Sequence, residues 1–155
     1  MKKTNAIRIL ELRGINVNSV SYQVNENEID AESVAIKLGL KPEQVFKTLV
    51  TVGSDKNNYV FVIPGNYELD LKKAASASGV KKIELIKMKD LLSLTGYVRG
   101  GCSPIGMKKL FPTFIDESAQ LFDEIYVSAG VKGMQISISP TDLAEIVSAK
   151  FCGLI

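Results

Sequence analysis

The sequence predicts an α+β fold with a sheet that is mixed or largely antiparallel. At 155 residues the chain has the usual size of one domain, so residues 1–155 are expected to form a single domain. Its 46% hydrophobic and 23% charged residues are typical of a globular protein. Candidate helices lie at both ends and between strands, whereas most candidate strands are joined by turns. This arrangement disfavours a doubly wound parallel sheet.

The first elements are two candidate helices separated by a strand. Thr4 is suited to cap the first helix and Gly14 to end it. Residues 15–24 alternate between apolar and polar side chains, which predicts a strand. Asp30 is suited to cap a second helix that ends at Gly39.

A β-hairpin is predicted next, after a helical turn that begins at Pro42. Residues 46–52 and 59–63 are rich in β-branched and aromatic side chains, and the polar segment between them is typical of a turn. Three shorter elements follow: a helix over residues 71–78 capped by Asp70, a strand over residues 80–86, and a helix over residues 88–95 ended by Gly96.

Residues 96–106, here called the glycine loop, interrupt the periodic pattern. They include four glycines and one proline, which indicates a loop with special backbone geometry. Strands are then predicted over residues 112–115, 125–128 and 134–137. Ser139 and Pro140 favour the start of a final helix that runs to about Ala149.

The chain contains no histidine and only two cysteines, Cys102 and Cys152. The absence of histidine excludes a Ser-His-Asp triad, a Cys-His dyad and an HExxH zinc site. Two cysteines without histidine do not fill a four-ligand zinc site unless carboxylates contribute. No metal or organic cofactor is suggested. Few cysteines, no apolar stretch of membrane-spanning length and no signal-peptide core favour a cytoplasmic protein without membrane contact.

Charge is unevenly distributed along the chain. Residues 72–109 carry a net charge of +7, whereas the whole chain carries +2. A basic segment in a nearly neutral protein suggests contact with a polyanion through one face. The alternative is a set of solvated lysines, which charge alone favours.

Lys47 lies near the start of an apolar strand and has two interpretations. It is either a charge that protects the edge of a sheet or a cation that points into a pocket. The glycine loop also has two: its N–H groups converge on an anion or carbonyl oxygen, or the loop is a tight connection without a ligand. Cys102 within it is either a nucleophile or a small apolar filler. Ser128 and Tyr22 are each candidates for a pocket wall, with a turn and the core as the alternatives.

Three motifs occur in order: Phe46-Lys47-Thr48-Leu49, the segment of residues 95–109, and Ile125-Tyr126-Val127-Ser128-Ala129-Gly130. Together they resemble the YbaK/EbsC family of free-standing Cys-tRNA(Pro) deacylases, which are similar to the editing domain of bacterial prolyl-tRNA synthetases. The resemblance implies a compact α+β domain with a curved mixed sheet partly wrapped by helices. It implies hydrolysis of a misattached aminoacyl ester. The implied partner is the aminoacylated 3′ end of tRNA, and prolyl-tRNA synthetase is left open as a second partner.

The resemblance also assigns roles to residues. The residues it implies to be catalytic are Lys47, Gly100, Gly101 and Ser103. The residues it implies to contact the substrate are Tyr22, Thr48, Cys102, Pro104, Ser128 and Gly130. The chain departs from the family where Cys102 replaces a common aliphatic residue and where Gln135 replaces a common aspartate.

Without a histidine base, the simplest chemistry is attack by the thiol of a cysteinyl substrate on its own ester, with the N–H groups of the glycine loop binding the oxyanion. This mechanism also resembles the one proposed for the family. Two alternatives remain at the level of sequence. One is a deacylase for alanine or another small residue on tRNA(Pro), and the other is a non-catalytic module that binds tRNA or a synthetase.

Overall fold

The computed structural model describes residues 3–25, 27 and 30–155, so Met1 and Lys2 of the N-terminal segment lie outside it, as do Glu26, Glu28 and Ile29. The helices in the described residues are α1 (Asn5–Leu12), α2 (Ala31–Leu38), α3 (Leu71–Ser78), α4 (Leu91–Thr95) and α5 (Pro140–Ile146). The strands are β1 (Asn18–Ser21), β2 (Phe46–Gly53), β3 (Asn58–Pro64), β4 (Ile83–Leu85), β5 (Thr113–Asp116), β6 (Ile125–Ser128), β7 (Met134–Ile138) and β8 (Lys150–Cys152). Short 3-10 helices cover Pro42–Gln44, Met88–Asp90 and Glu117–Leu121.

The strands form two sheets, which confirms the α+β class with mixed pairing. A five-stranded sheet has the order β4-β2-β3-β5-β8, and a three-stranded antiparallel sheet has the order β1-β7-β6. In the larger sheet β4, β2 and β3 are antiparallel, whereas β5 runs parallel to both β3 and β8. A parallel bridge between Val45 and Tyr126 connects the two sheets immediately before β2 begins.

Local capping residues start the helices where the sequence predicts. The Thr4 hydroxyl accepts a hydrogen bond from the Ile7 N–H at 3.2 Å, and the Asp30 carboxylate accepts one from the Ser33 N–H at 2.8 Å. The Asp70 carboxylate accepts bonds from the first turn of α3, and Ser139 does the same for α5. These side chains satisfy N–H groups that a helix leaves unpaired at its start.

Several predicted elements differ in extent, and the helix predicted over residues 88–95 is a short 3-10 helix followed by α4. The strand predicted over residues 15–24 is only β1, because pairing with β7 is confined to Asn18–Ser21. The strands predicted over residues 80–86 and 112–115 become β4 and β5. The last helix ends at Ile146 and not near Ala149, because Ser148 adopts a φ of 53° and the chain then turns into β8.

Both faces of the larger sheet are buried at its central strand β3. Along β3, Val60 and Val62 pack in one hydrophobic cluster, whereas Tyr59, Phe61 and Ile63 pack in a second cluster on the opposite face. This alternation explains why β3 is apolar along nearly its whole length. None of the described helices is both long and apolar enough to cross a membrane.

Candidate active site

A cavity of about 350 Å³ opens between the two sheets and the helices around them. Its walls come from the first half of β2, the start of α2, the segment after β4, the glycine loop, and the adjoining residues of β6 and β7. The predicted site residues that line it are Lys47, Thr48, Gly100, Cys102 and Ser128. Three motifs that are far apart in sequence therefore meet in one place.

Lys47 is held at this cavity by its strand and by a neighbouring carbonyl. The register of the hairpin places Lys47 opposite Ile63. The side chain extends past the end of β3, where its Nζ donates a hydrogen bond to the Gly65 carbonyl oxygen at 3.2 Å. Partial burial lowers the pKa of the Lys47 ammonium, and the nearby Glu68, Asp30 and Glu32 oppose that shift. The result is an incompletely solvated cation within a ligand-sized cavity.

Gly65 was not predicted from the sequence, yet it supports this lysine. A Cβ added at Gly65 would overlap the Ala31 side chain and come within 2.9 Å of the Val45 carbonyl oxygen. The absence of a side chain lets the start of α2 approach the end of β3. It also leaves the Gly65 carbonyl available to Lys47.

Gly65→Ala is expected to destabilise the fold by about 1–3 kcal/mol, because overpacking must displace α2 or the Val45 backbone. The acceptor of Lys47 should move with it. Gly153→Ala is the matched control, since its nearest neighbour would be 3.6 Å away. Denaturant unfolding measures the difference, and equal stability of the two variants would contradict the packing argument.

The glycine loop contributes backbone groups as well as shape. Gly100 has a φ of 84°, a conformation that suits glycine. The Gly101 N–H already donates to the Val98 carbonyl oxygen at 2.9 Å, so it is not available as a donor to a ligand. Within the described residues, the N–H groups of Gly100 and Cys102 have no hydrogen-bond acceptor. These two therefore replace Gly101 as the candidate oxyanion donors.

The other loop residues named from the sequence do not line the cavity. Ser103 is fully buried, and its hydroxyl accepts a hydrogen bond from the Ile105 N–H at 3.2 Å. Pro104 lines a separate cavity of about 190 Å³. A Cβ at Gly101 would lie 3.0 Å from the Lys132 nitrogen, and one at Gly130 would lie 3.0 Å from the Tyr97 ring. Gly101 and Gly130 thus allow the glycine loop to pack against the turn after β6.

Tyr22 lies immediately after β1 and is half-buried. It packs against the hydrophobic cluster of Val34, Ala35 and Val45. Of these, Val34 lines the cavity, whereas Tyr22 itself does not. The structure therefore places Tyr22 behind the cavity wall.

The cavity contains polar side chains whose oxygen atoms lack partners. Ser128 and Gln135 face each other in the β6–β7 register, and both line the cavity. The Gln135 Oε1 and Thr48 Oγ1 atoms are buried and have no hydrogen-bond partner among the described residues. Such groups cost free energy unless a ligand or water satisfies them. Gln135 is thus a candidate site residue where the sequence showed only a departure from a family pattern.

Cys102 has the properties of a filler rather than a nucleophile. Burial raises the pKa of its thiol to about 12, although a hydrogen bond with the Thr95 side chain acts in the opposite direction. A reactive cysteine needs a thiolate, which a raised pKa disfavours at neutral pH. Two further charged residues, Arg99 and Asp30, also line the cavity.

Comparisons with known proteins identify the family of this chain. The sequence model of the family described as the aminoacyl-tRNA editing domain matches residues 25–146. The chain belongs to the aminoacyl-tRNA editing domain family.

This editing domain is 50% identical to EbsC of Enterococcus faecalis (strain ATCC 700802 / V583), over 97% of this chain and 92% of that protein. That relative is named as a candidate Cys-tRNA(Pro)/Cys-tRNA(Cys) deacylase, which confirms the resemblance to the YbaK/EbsC family. A proline–tRNA ligase of Shouchella clausii (strain KSM-K16) is 26% identical over 77% of this chain, which corresponds to 21% of the ligase. The editing domain thus occurs both alone and inside a synthetase.

Solved structures share the same fold. A crystal structure described as a candidate trans-editing enzyme for prolyl-tRNA synthetase has a TM-score of 0.83 at 25% identity, covering 99% of this chain and 98% of that one. A hypothetical protein has a TM-score of 0.86 at 22% identity, covering 95% and 96% of the two chains, and supports the fold alone.

Proposed function

We propose that this editing domain hydrolyses the ester of cysteine misattached to tRNA(Pro), with Cys-tRNA(Cys) as a second substrate. One observation carries the proposal: a single cavity gathers Lys47, the free N–H groups of Gly100 and Cys102, and Ser128. This cavity lies in a chain that is 50% identical to a protein named as a candidate deacylase. Its volume of about 350 Å³ is near the small end of the usual range for ligand sites, ~300–1,000 Å³, which suits a small aminoacyl group.

The reaction begins with the sulfur of the cysteinyl group, which attacks its own carbonyl carbon and releases the thiol proton to solvent. The carbonyl oxygen becomes an oxyanion, which accepts hydrogen bonds from the N–H groups of Gly100 and Cys102. When the tetrahedral intermediate collapses, the carbon–oxygen ester bond breaks and the tRNA 3′ oxygen takes up a proton. Water then opens the small thiolactone to give free cysteine.

The protein contributes position and charge to this reaction. Intramolecular attack from a well-oriented pose lowers a barrier by roughly 7–11 kcal/mol. Lys47 holds the adenosine end through a phosphate or carbonyl oxygen. Thr48 and Ser128 orient the aminoacyl group. Gly101, Ser103 and Pro104 shape the loop, while Tyr22 and Gly130 support the walls.

A deacylation assay with Cys-, Ala- and Pro-tRNA(Pro) tests the proposal. The expected result is rapid loss of cysteine, little loss of alanine and none of proline. Preferred cleavage of Ala-tRNA(Pro) would identify an alanine deacylase. Affinity for tRNA without any turnover would identify a non-catalytic binding module.

Binding of tRNA is expected to depend steeply on salt, because the basic segment of residues 72–109 contacts phosphates. The six lysines expected to make these contacts are Lys72, Lys73, Lys81, Lys82, Lys108 and Lys109. Three of them have partners among the described residues. The Lys73 Nζ donates to the Ile155 carbonyl oxygen at 2.5 Å, Lys82 pairs with Glu84 at 2.9 Å, and the Lys109 Nζ lies 6.0 Å from the centroid of the Phe111 ring.

Lys81→Ala should flatten the plot of log affinity against log salt concentration by about one unit. Lys82→Ala should flatten it less, because Glu84 already offsets part of its charge. Fluorescence anisotropy with labelled tRNA measures both slopes. An affinity that does not change with salt would contradict phosphate contact.

A further inference from the structure

Two apolar side chains lie where the cavity meets solvent. Leu85, the last residue of β4, is 55% exposed, and Met88, at the start of the next 3-10 helix, is 58% exposed. Both nevertheless line the cavity. Side chains that are exposed to solvent and also line the cavity lie at its mouth. We call Leu85 and Met88 the apolar rim.

The apolar rim lies within the basic part of the chain. Lys82, Lys87 and Lys89 are exposed and lie within three residues of Leu85 or Met88. Glu84 and Asp90 lie equally near, and Lys82 pairs with Glu84, whereas Lys87 and Lys89 have no acidic partner among the described residues. Apolar surface beside such lysines is complementary to a ligand that has both a flat apolar face and anionic groups. A nucleotide has this combination, with its base and its phosphates.

We propose that the apolar rim binds the terminal adenine base of the aminoacyl-tRNA, an inference that rests on the proposed function. If the aminoacyl group occupies the cavity, the ribose that carries it lies at the mouth, and its base is directed to the surrounding surface. Leu85 and Met88 offer apolar area to one face of the base, while the neighbouring lysines reach the phosphates. Contact through aliphatic side chains contributes affinity by area and requires no hydrogen bonds to the base edge.

Binding of AMP and of ribose 5-phosphate separates the base from the rest of the nucleotide. With methionine methyl groups labelled with carbon-13, AMP is expected to shift the Met88 resonance. Met107, which lines the separate 190 Å³ cavity, should not move. Ribose 5-phosphate carries the same phosphate and sugar and should bind at least about fivefold more weakly, because it lacks the apolar area that Leu85 and Met88 would cover.

The double variant Leu85→Ser/Met88→Ser should lose this preference, so that it binds AMP and ribose 5-phosphate alike. Leu121→Ser is the matched control, since Leu121 is 83% exposed and does not line the cavity. It should keep the full preference for AMP. All three substitutions are at exposed positions, where the fold tolerates change.

Three results would overturn the proposal: equal binding of AMP and ribose 5-phosphate by the unsubstituted protein, a preference that survives in the double variant, or a Met88 shift caused by protein concentration alone. The last would assign the rim to a second copy of the chain. Because binding needs no turnover, a protein that prefers AMP through the rim yet fails to cleave Cys-tRNA(Pro) would refute the proposed function and not the base subsite.

Discussion

Lys47→Ala is expected to reduce deacylation of Cys-tRNA(Pro) by at least about 100-fold, the scale of losing one positioned electrostatic contact in a desolvated site. The Lys47 ammonium is partly buried at the cavity, and only the Gly65 carbonyl accepts a hydrogen bond from it among the described residues. It is therefore poised to bind an oxygen of the substrate. Initial rates of deacylation, compared with the unsubstituted protein, measure the loss.

The fold should survive this substitution, because the Lys47 side chain lies beside the cores and not inside them. Lys41→Ala is the control: it removes an equal charge from an exposed position just before β2. Lys41→Ala should reduce the deacylation rate only slightly, because it weakens the general electrostatic attraction of the protein for tRNA and leaves the cavity unchanged. If the Lys47→Ala protein has the stability and the deacylation rate of the unsubstituted protein, Lys47 is not part of the active site. Its charge would then serve to protect a sheet edge.

The parts of the fold that sequence predicts well are those specified by nearby residues. Asp30, Asp70 and Ser139 start helices at the expected positions because a cap acts over three residues. The β2–β3 hairpin forms because a polar turn joins two strands of high β-propensity. In contrast, the parallel pairing of β5 with β3 and β8 joins distant segments, and no local pattern specifies it.

The candidate site shows the same division. Sequence pattern alone left Lys47 with two interpretations, and the resemblance to a family singled out the motifs that meet at the cavity. Gly65 and Gln135 were missed because each acquires its significance from a partner far along the chain: Gly65 from Lys47 and Ala31, Gln135 from Ser128. The hairpin register gave one usable signal, since it brings the residues after β3 beside the start of β2.

A second large effect is expected in the substrate. Alanyl-tRNA(Pro) should be cleaved at least about 1,000-fold more slowly than cysteinyl-tRNA(Pro), because alanine has no thiol to attack the ester and so lacks the intramolecular advantage. Cavity size alone would give a smaller difference, since a hydrophobic pocket separates substrates that differ by one small group by only about 10–200-fold. Single-turnover rates with both esters on the same tRNA provide the comparison.

Cys102→Ala distinguishes a substrate thiol from a protein thiol. The Cys102 side chain lines the cavity, but burial raises its pKa to about 12, so at neutral pH it remains a protonated thiol. If only the backbone N–H of this residue takes part, the alanine variant keeps most of its activity, because alanine retains that N–H. Its pH–rate profile should also match that of the unsubstituted protein, since the titrating thiol belongs to the substrate. An inactive Cys102→Ala protein of normal stability would show that the Cys102 thiolate attacks the ester. Equal rates of cleavage for the alanyl and cysteinyl esters would show that water attacks it.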